Sequence, residues 1–387
     1  MSEAVESLKV EAAARRSPLE AAHLRAGALM REEDGAQVAA HYGDARAEYE
    51  AVRGGDGAGL FDLSARGRVE VSGSEAVQFL NGLVTNNVKT LAPGAWMGAA
   101  FPNVQGRLVA RARVMRACDE QKFLIDTEAA TAGAVRRSLE RFTMAGDFHL
   151  RDLGEETALV SVQGAGAVEL VGRVISEDAA GVGRGRVSVI DWRDSRPVTV
   201  ARATHTGEDG FDLFVGADAV GDLWDALVAA GARPAGRDAL ELLRVEAGAP
   251  RYGIDMTDAN VVLEAGLDDS VSYTKGCYVG QEIIARIHWR GHVAKRLAGL
   301  VLEGEAEPGA KIKTVDGARE IGRVTSVALS PRLGRRIALG LLKYDFLEPG
   351  TEMMVDTGSN ETGARVAPLP FVRGGWHTET DGAEPQS

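Results

Sequence analysis

Short alternating stretches and helical stretches follow one another along the first part of the chain. Residues 67–73 alternate polar and apolar side chains between glycines, which predicts a half-buried strand. Residues 75–83 carry apolar side chains on one helical face, and Ser74 is the predicted N-cap of that helix. A strand hairpin and another helix are predicted at residues 108–115, 122–126 and 131–142. This order is typical of an α+β lobe with an antiparallel sheet.

The same order of elements recurs further along the chain. Strands are predicted at residues 157–163, 187–191, 198–203 and 210–215. Helices are predicted at residues 166–175, 218–230 and 238–247. We therefore expect a second lobe built like the first, repeated in structure rather than in obvious sequence.

From about residue 295 the pattern changes to short strands punctuated by glycine and proline, which is typical of a small β-barrel. The predicted fold class is α+β, with two ferredoxin-like lobes and a C-terminal β-barrel. Helices are also predicted ahead of the first strand, at residues 6–29 and 45–53. The predicted domains are residues 1–155, 156–294 and 295–372, followed by a disordered tail at 373–387.

The composition of this 387-residue chain excludes several classes of function. A net charge of −12 argues against broad electrostatic binding to nucleic acid. No apolar run approaches the roughly 20 residues that span a bilayer, and the N-terminus lacks the apolar core of a secretory signal. Two distant cysteines, Cys118 and Cys277, do not form a disulfide framework. We expect a cytoplasmic monomer that binds neither membrane nor nucleic acid directly.

The octapeptide KGCYVGQE at residues 275–282 is the most informative stretch. It places Cys277 in a polar, turn-forming context two residues after Lys275, whose charge favours thiolate over thiol. Cys277 is therefore a candidate functional thiol, with Lys275 lowering its pKa, although a buried structural thiol is the alternative. Cys118 ends a predicted strand and is expected to be a packing residue.

Two further features of this region have plain interpretations. His288 and His292 have the four-residue spacing of a helical metal pair, but Gly291 and the flanking residues favour a strand or loop, so no metal is expected. Basic side chains predominate over residues 275–296. They form either a solvated edge or a rim that binds an anionic tail or a partner.

Four stretches, taken in order, resemble the folate-binding family that joins the glycine-cleavage T-protein to the YgfZ-type iron–sulfur maintenance proteins. The first comprises residues 59–64 followed by Gly73 and residues 79–88, and the others lie at residues 206–212, 243–253 and 275–282. The octapeptide resembles the YgfZ-type motif itself. The resemblance implies two α+β lobes and a barrel arranged as a ring around a central folate cleft. It also implies tetrahydrofolate, or a one-carbon derivative of it, as the cofactor.

A reduced pterin needs polar groups for its edge and an apolar slot for its rings, and arginine forks can pair with its glutamyl tail. By resemblance, Asp212 stands where the T-protein has a pterin-edge glutamate, one methylene longer. The other predicted cofactor-binding residues are Glu208, Arg244, Glu246, Gln281 and Asn103. Arg244 and Glu246 do not share a helical face, so either can instead cap a helix or bridge lobes. Glu208 can equally be a solvated turn residue.

The clearest departure from the T-protein is at residues 103–111, where Ala110-Arg111 replaces a pair of aspartates. Neither residue can deprotonate an amine. The favoured hypothesis is therefore a tetrahydrofolate-dependent accessory protein of the YgfZ type. The resemblance implies iron–sulfur client proteins or assembly machinery as partners, including enzymes that modify tRNA. An aminomethyltransferase acting with a lipoyl carrier protein, and a scaffold that has lost folate, are the alternatives.

Overall fold

The computed structural model describes residues 14–116, 121–144, 146–358 and 360–378. Its helices are α1 (Glu20–Arg25), α2 (Ala45–Arg53), α3 (Ala76–Leu83), α4 (Ala132–Glu140), α5 (Ala167–Val174), α6 (Glu177–Ala180), α7 (Val220–Ala229), α8 (Arg237–Glu246), α9 (Gln281–Arg290) and α10 (Gly375–Thr378). Its strands are β1 (Leu29–Glu33), β2 (Ala36–His41), β3 (Gly59–Asp62), β4 (Gly67–Ser72), β5 (Ala95–Pro102), β6 (Leu108–Arg116), β7 (Lys122–Thr127), β8 (His149–Asp152), β9 (Thr157–Gln163), β10 (Val187–Trp192), β11 (Arg196–Arg202), β12 (Gly210–Gly216), β13 (Arg233–Pro234), β14 (Lys295–Leu302), β15 (Lys311–Lys313), β16 (Glu320–Ser330), β17 (Arg335–Lys343), β18 (Glu352–Asp356) and β19 (Glu361–Ala367).

The first lobe is a five-stranded antiparallel sheet in the order β5-β6-β7-β4-β8. Helices α3 and α4 cover one of its faces because their apolar stripes pack on the inward residues of the strands. Val71, Leu80, Val114, Ile125 and Leu139 are buried together in this core. The opposite face of β6 carries arginines and is turned away from this core.

The second lobe is a six-stranded sheet in the order β10-β11-β12-β9-β3-β13. Strand β3 precedes the first lobe in sequence but pairs with β9, with Asp62 opposite Val160. The first lobe is therefore inserted between two neighbouring strands of the second. The domain boundary at residue 155 stays a prediction, and β3 crosses it by joining the later sheet.

The C-terminal strands form a closed barrel in the order β14-β17-β16-β15-β18-β19, and pairing of β14 with β19 closes it. Leu300, Ile312, Val324, Leu342 and Val355 fill its interior. The predicted α+β class with two lobes and a C-terminal barrel is confirmed. Helix α8 lies against the barrel through Val245, which packs with barrel residues.

Several local predictions were wrong. The helix predicted at 6–29 is reduced to α1 within the described residues, because the chain turns at Gly27 and continues as β1. Ser74 does not cap α3; its hydroxyl donates to Asp147 instead. The strand or loop predicted around His288 is helix α9. Among the described residues, no helix combines the length and apolar character needed to cross a bilayer.

Part of the tail predicted to be disordered has a defined position. Helix α10 is held on the second lobe, where the amide of Gly375 donates to Glu208. The guanidinium of Arg184 donates to the carbonyl of Trp376 and lies over its indole ring. These contacts fix residues as far as Thr378, and the rest of the predicted tail lies outside the described residues.

Candidate functional site

A cavity of about 190 Å³ lies between the two lobes, beside α8 and the β1–β2 hairpin. Strands β5 and β6 of the first lobe supply one wall, and a loop of the second lobe supplies the facing wall. The side chains that matter most for its chemistry are Arg66, Trp96, Arg111, Arg113, Glu128, His205, Arg237, Glu241, Arg244 and Arg251. The cavity thus combines aromatic surface with a high density of guanidinium groups.

Strand β6 places two arginines on the cavity wall. Ala110 and Ala112 belong to the core of the first lobe, so the alternation of a strand sends Arg111 and Arg113 to the opposite face. Arg113 lies over the ring of Trp96, with 5.7 Å between the guanidinium carbon and the ring centroid. Ala110 and Arg111, which stand where the aspartate pair was expected by resemblance, therefore diverge, one into the core and one into the cavity.

Buried carboxylates neutralise Arg113 from both lobes. On the first lobe, Asp126 receives hydrogen bonds from Arg113 and, through two nitrogens, from Arg66, all at 2.8 Å. Burial alone would raise the pKa of Asp126, but the charges of Arg66 and Arg113 outweigh burial and lower that pKa. Asp126 is therefore held ionised, and its role is to orient the two arginines.

Asp212 occupies a similar position in the second lobe. Its carboxylate lies 2.6 Å from Nη2 of Arg113 and 2.9 Å from Nε2 of His205. Burial would raise the pKa of Asp212, but the charges of His205 and Arg113 lower it strongly. The side chain is fully buried behind His205 and Arg113, which are the groups that face the cavity. The predicted ligand residue thus positions two lining residues and does not line the cavity itself.

Arg244 is the predicted site residue that does line the cavity. Its guanidinium binds Asp255, Glu241 and, at 2.6 Å, the hydroxyl of Ser326 in the barrel. These contacts join α8 to the third domain at the edge of the cavity. Nε of Arg244 is buried and has no hydrogen-bond partner in the described ranges of the chain.

Glu246 and Glu208 belong to a buried network outside the cavity. Glu246 accepts hydrogen bonds from Tyr49, Arg53 and Ser330, and so ties α2, α8 and the barrel together. Glu208 accepts from Arg53 at 2.7 Å and from the amide that begins α10. Glu246 has the bridging geometry that was its alternative, because its partners lie on α2 and in the barrel, whereas Glu208 is neither in the cavity nor a solvated turn residue, because it is paired with Arg53 and with α10.

Lys275 has a different position from the one predicted. The residue is buried, with 6% of its surface exposed. Its ammonium donates to the carbonyls of Asn81, Val84 and Asn86, at 2.6, 2.8 and 2.7 Å. Burial lowers the pKa of Lys275 to about 8. All three donors of the ammonium are used on the first lobe, so Lys275 clamps the octapeptide there and is not directed at a thiol.

The structure does not bring Cys277 to the cavity. Its thiol is free and exposed on the surface of the docked octapeptide. Asn103 and Gln281 are also away from the cavity: Asn103 caps its own turn by accepting from the amide of Arg107, and Gln281 begins α9. Cys118 lies outside the described residues.

Sequence reasoning missed Trp96, Arg113, Glu128 and His205. One available sign was the pair of arginines two residues apart in the otherwise apolar strand β6, which predicts a charged face opposite a core face. The other residues come together through pairing of distant strands. No local pattern in the sequence predicts that these residues lie close together.

Comparison with known proteins gives the family. The GCVT N-terminal domain matches residues 19–275, and the glycine cleavage T-protein C-terminal barrel domain matches residues 295–373. The chain is 33% identical to an aminomethyltransferase of Streptomyces coelicolor, with 93% of this chain and 98% of that protein covered. It is 35% identical to an aminomethyltransferase of Rubrobacter xylanophilus, with 93% and 94% covered.

A solved structure has the same fold. The glycine cleavage system aminomethyltransferase T of Bartonella henselae superposes with a TM-score of 0.84 at 23% identity, covering 93% of this chain and 98% of that one. These relatives and this solved structure are all named as aminomethyltransferases. By both domain matches and by its full-length relatives, the chain belongs to the aminomethyltransferase (glycine cleavage T-protein) family.

Proposed function

We propose that this chain binds tetrahydrofolate in the cavity between its lobes and acts as a one-carbon transferase of the aminomethyltransferase type. The observation that carries the proposal is the cavity itself, which lies at the junction of the lobes and is lined by Trp96, His205 and a set of oriented arginines. This replaces an iron–sulfur role as the leading hypothesis, because the full-length relatives bear the name aminomethyltransferase.

The lining residues fit a reduced pterin. Trp96 and His205 offer flat surfaces for a ring, and Leu240 adds apolar contact. One buried donor in the lining, Nε of Arg244, has no hydrogen-bond partner among the residues that the structure describes, and it matches an acceptor on a pterin or on its carboxylate tail. Tetrahydrofolate, when bound, supplies the nitrogen atoms that accept a one-carbon unit.

The carboxylate best placed to contact a bound amine is Glu128. Asp126 and Asp212 are held ionised by guanidiniums, and Glu241 is paired with Arg244. Glu128 lines the cavity, and within the described part of the chain its carboxylate accepts a single hydrogen bond, from the amide of Tyr252 to Oε2 at 2.9 Å. Glu128 is therefore proposed to accept the proton that an amine donor releases. In this role it takes the place of the aspartates absent at Ala110 and Arg111.

Folate-dependent release of ammonia tests the proposal. Purified protein is combined with the other glycine-cleavage components, and tetrahydrofolate binding is followed separately by calorimetry. Glu128→Gln is expected to lower turnover by roughly 10²-fold, the usual contribution of a general base, while folate still binds. Glu282→Gln, at an exposed carboxylate of α9, is the matched control and should retain full turnover. Failure of the unmodified protein to bind tetrahydrofolate would rule the proposal out.

One observation keeps the iron–sulfur hypothesis as a second candidate. Cys277 presents a free, exposed thiol on an octapeptide that Lys275 fixes in place, as a functional thiol would require. In that case the partners would be iron–sulfur client proteins or assembly machinery, and tRNA-modifying enzymes would depend on the protein. Cys277→Ala should then fail to restore a cluster-dependent enzyme in a deletion strain. A transferase that does not use the thiol retains its turnover in the same variant.

A further inference from the structure

Arg111 has an unusual position among the arginines of the cavity. Arg66, Arg113, Arg237, Arg244 and Arg251 each pair with a carboxylate of the protein. No nitrogen of Arg111 lies within 4.0 Å of a carboxylate oxygen in the part of the chain that the structure describes. Its guanidinium is accessible and lines the cavity, so it is available to an anion.

Glu128 lies across the sheet from Arg111. Strands β6 and β7 are antiparallel, with Ala112 opposite Thr127. The next pair of facing positions in this register is Arg111 and Glu128. The hydroxyl of Thr127 also donates to the carbonyl of Arg111, which holds the end of this ladder together. Opposite charges at facing positions of a sheet ordinarily pair with each other. Here the two side chains do not meet, and both enter the cavity.

The surroundings explain why Arg111 needs an external partner. Arg111 is open to the cavity, but the surrounding walls still desolvate its guanidinium; this desolvation and the charges of Arg66 and Arg113 lower the pKa of Arg111, and the charge of Glu128 only partly offsets them. Oε2 of Glu128 accepts from the amide of Tyr252, and Oε1 has no donor among the residues that the structure describes. A cation and an anion thus face the same space without contacting each other.

We propose that Arg111 and Glu128 form a binding site for a small zwitterion, an α-amino acid whose carboxylate binds Arg111 and whose ammonium binds Glu128. The guanidinium fork suits a carboxylate because it can donate two parallel hydrogen bonds. The inference rests on the proposed function in that this site shares the cavity and Glu128 with it, and it concerns binding of the zwitterion alone.

Calorimetry with three probes tests this site, on free protein and on protein saturated with tetrahydrofolate. N-methylglycine carries both charges, acetate carries only the carboxylate, and methylamine carries only the ammonium. N-methylglycine should bind at least tenfold more tightly than either half. Arg111→Gln and Glu128→Gln should each weaken it at least tenfold, and Arg111→Lys should weaken it less than Arg111→Gln because the charge remains.

Arg107→Gln is the matched control, because Arg107 is an exposed arginine at the turn before β6 that does not line this cavity. It should leave N-methylglycine binding unchanged, and thermal unfolding of every variant establishes that it is folded. Acetate binding as tightly as N-methylglycine would overturn the zwitterion site in favour of a simple anion site. Folate binding without any N-methylglycine binding would overturn this inference and leave the proposed function standing. Absence of folate binding would overturn the proposed function, and the titration of free protein would still decide whether the amino-acid site exists.

Discussion

Nη2 of Arg113 lies 2.6 Å from Oδ2 of Asp212, and this ion pair joins the first lobe to the second across the cavity. Arg113 is also bound by Asp126 within its own lobe. A single guanidinium is thus shared by two buried carboxylates from different sheets. The relative position of the lobes, and with it the shape of the cavity, depends on this arrangement.

Asp212→Asn is expected to destabilise the protein by about 3 kcal/mol, because it breaks a buried ion pair and leaves Arg113 with a single carboxylate. Urea denaturation measures the change in the free energy of unfolding. Asp222→Asn is the control, since Asp222 forms an exposed pair with Arg196, and exposed pairs contribute little to stability. Equal effects of the two substitutions would contradict the proposed importance of the inter-lobe pair.

Stability is expected to fall steeply with acid. The pKa values of Asp126 and Asp212 are lowered in the folded protein, so their contribution is complete above the unfolded-state pKa of about 3.9 and is lost as pH falls below it. Each carboxylate adds a slope of up to about 1.4 kcal/mol per pH unit in that range. Denaturation curves recorded from pH 7 to pH 3 should show this slope, and Asp212→Asn should reduce it. A variant with the same slope as the unmodified protein would show that Asp212 does not titrate as described.

Lys275→Met should loosen the octapeptide from the first lobe. The substitution leaves three buried carbonyls, those of Asn81, Val84 and Asn86, without their shared donor, at a cost of about 2–4 kcal/mol. Hydrogen exchange should accelerate at residues 81–86 and 273–280. Lys89→Met removes an exposed lysine nearby and should leave exchange unchanged. Unaltered protection in Lys275→Met would mean that the clamp is not what holds the octapeptide.

The two glycines of the octapeptide should respond differently to alanine. A Cβ at Gly280 would lie 2.3 Å from the carbonyl oxygen of Asn103, and the backbone there has φ of +76°, so Gly280→Ala should cost more than about 2 kcal/mol. A Cβ at Gly276 meets no atom within 4 Å, so Gly276→Ala should change stability by less than about 1 kcal/mol. Thermal unfolding of the two variants provides the comparison. Similar losses in both would refute the close approach of Gly280 to Asn103.

Local periodicity was sufficient to predict most elements of the fold. Helix α2 begins and ends where the sequence predicts, at Ala45 and Arg53, because an amphipathic stretch is closed by glycine at Gly54. Strand β5 was missed because its first half alternates weakly and the glycine Gly98 interrupts it. Helix α9 was misassigned because Gly291, which lies just beyond its end, was taken as evidence against a helix.

The site was harder to predict than the fold. Arg244, predicted from its residue type and motif, lines the cavity, whereas Asp212, also predicted to bind the ligand, is completely buried behind Arg113 and His205. The sequence indicates which residue types are present, but not which of two neighbouring polar side chains faces a cavity. The opposition of Arg111 and Glu128 depends on strand register between β6 and β7, which the alternation of either strand alone does not specify.

The pairing of β3 with β9 has a consequence for how the chain is made. Strand β3 ends at Asp62 and its partner begins at Thr157, so the second sheet cannot close until the whole intervening lobe has left the ribosome. During synthesis the first lobe can form its core while β3 has not yet paired with β9. The nested chain order therefore imposes a sequence of assembly, in which the inner lobe folds first and the outer sheet forms around its two ends.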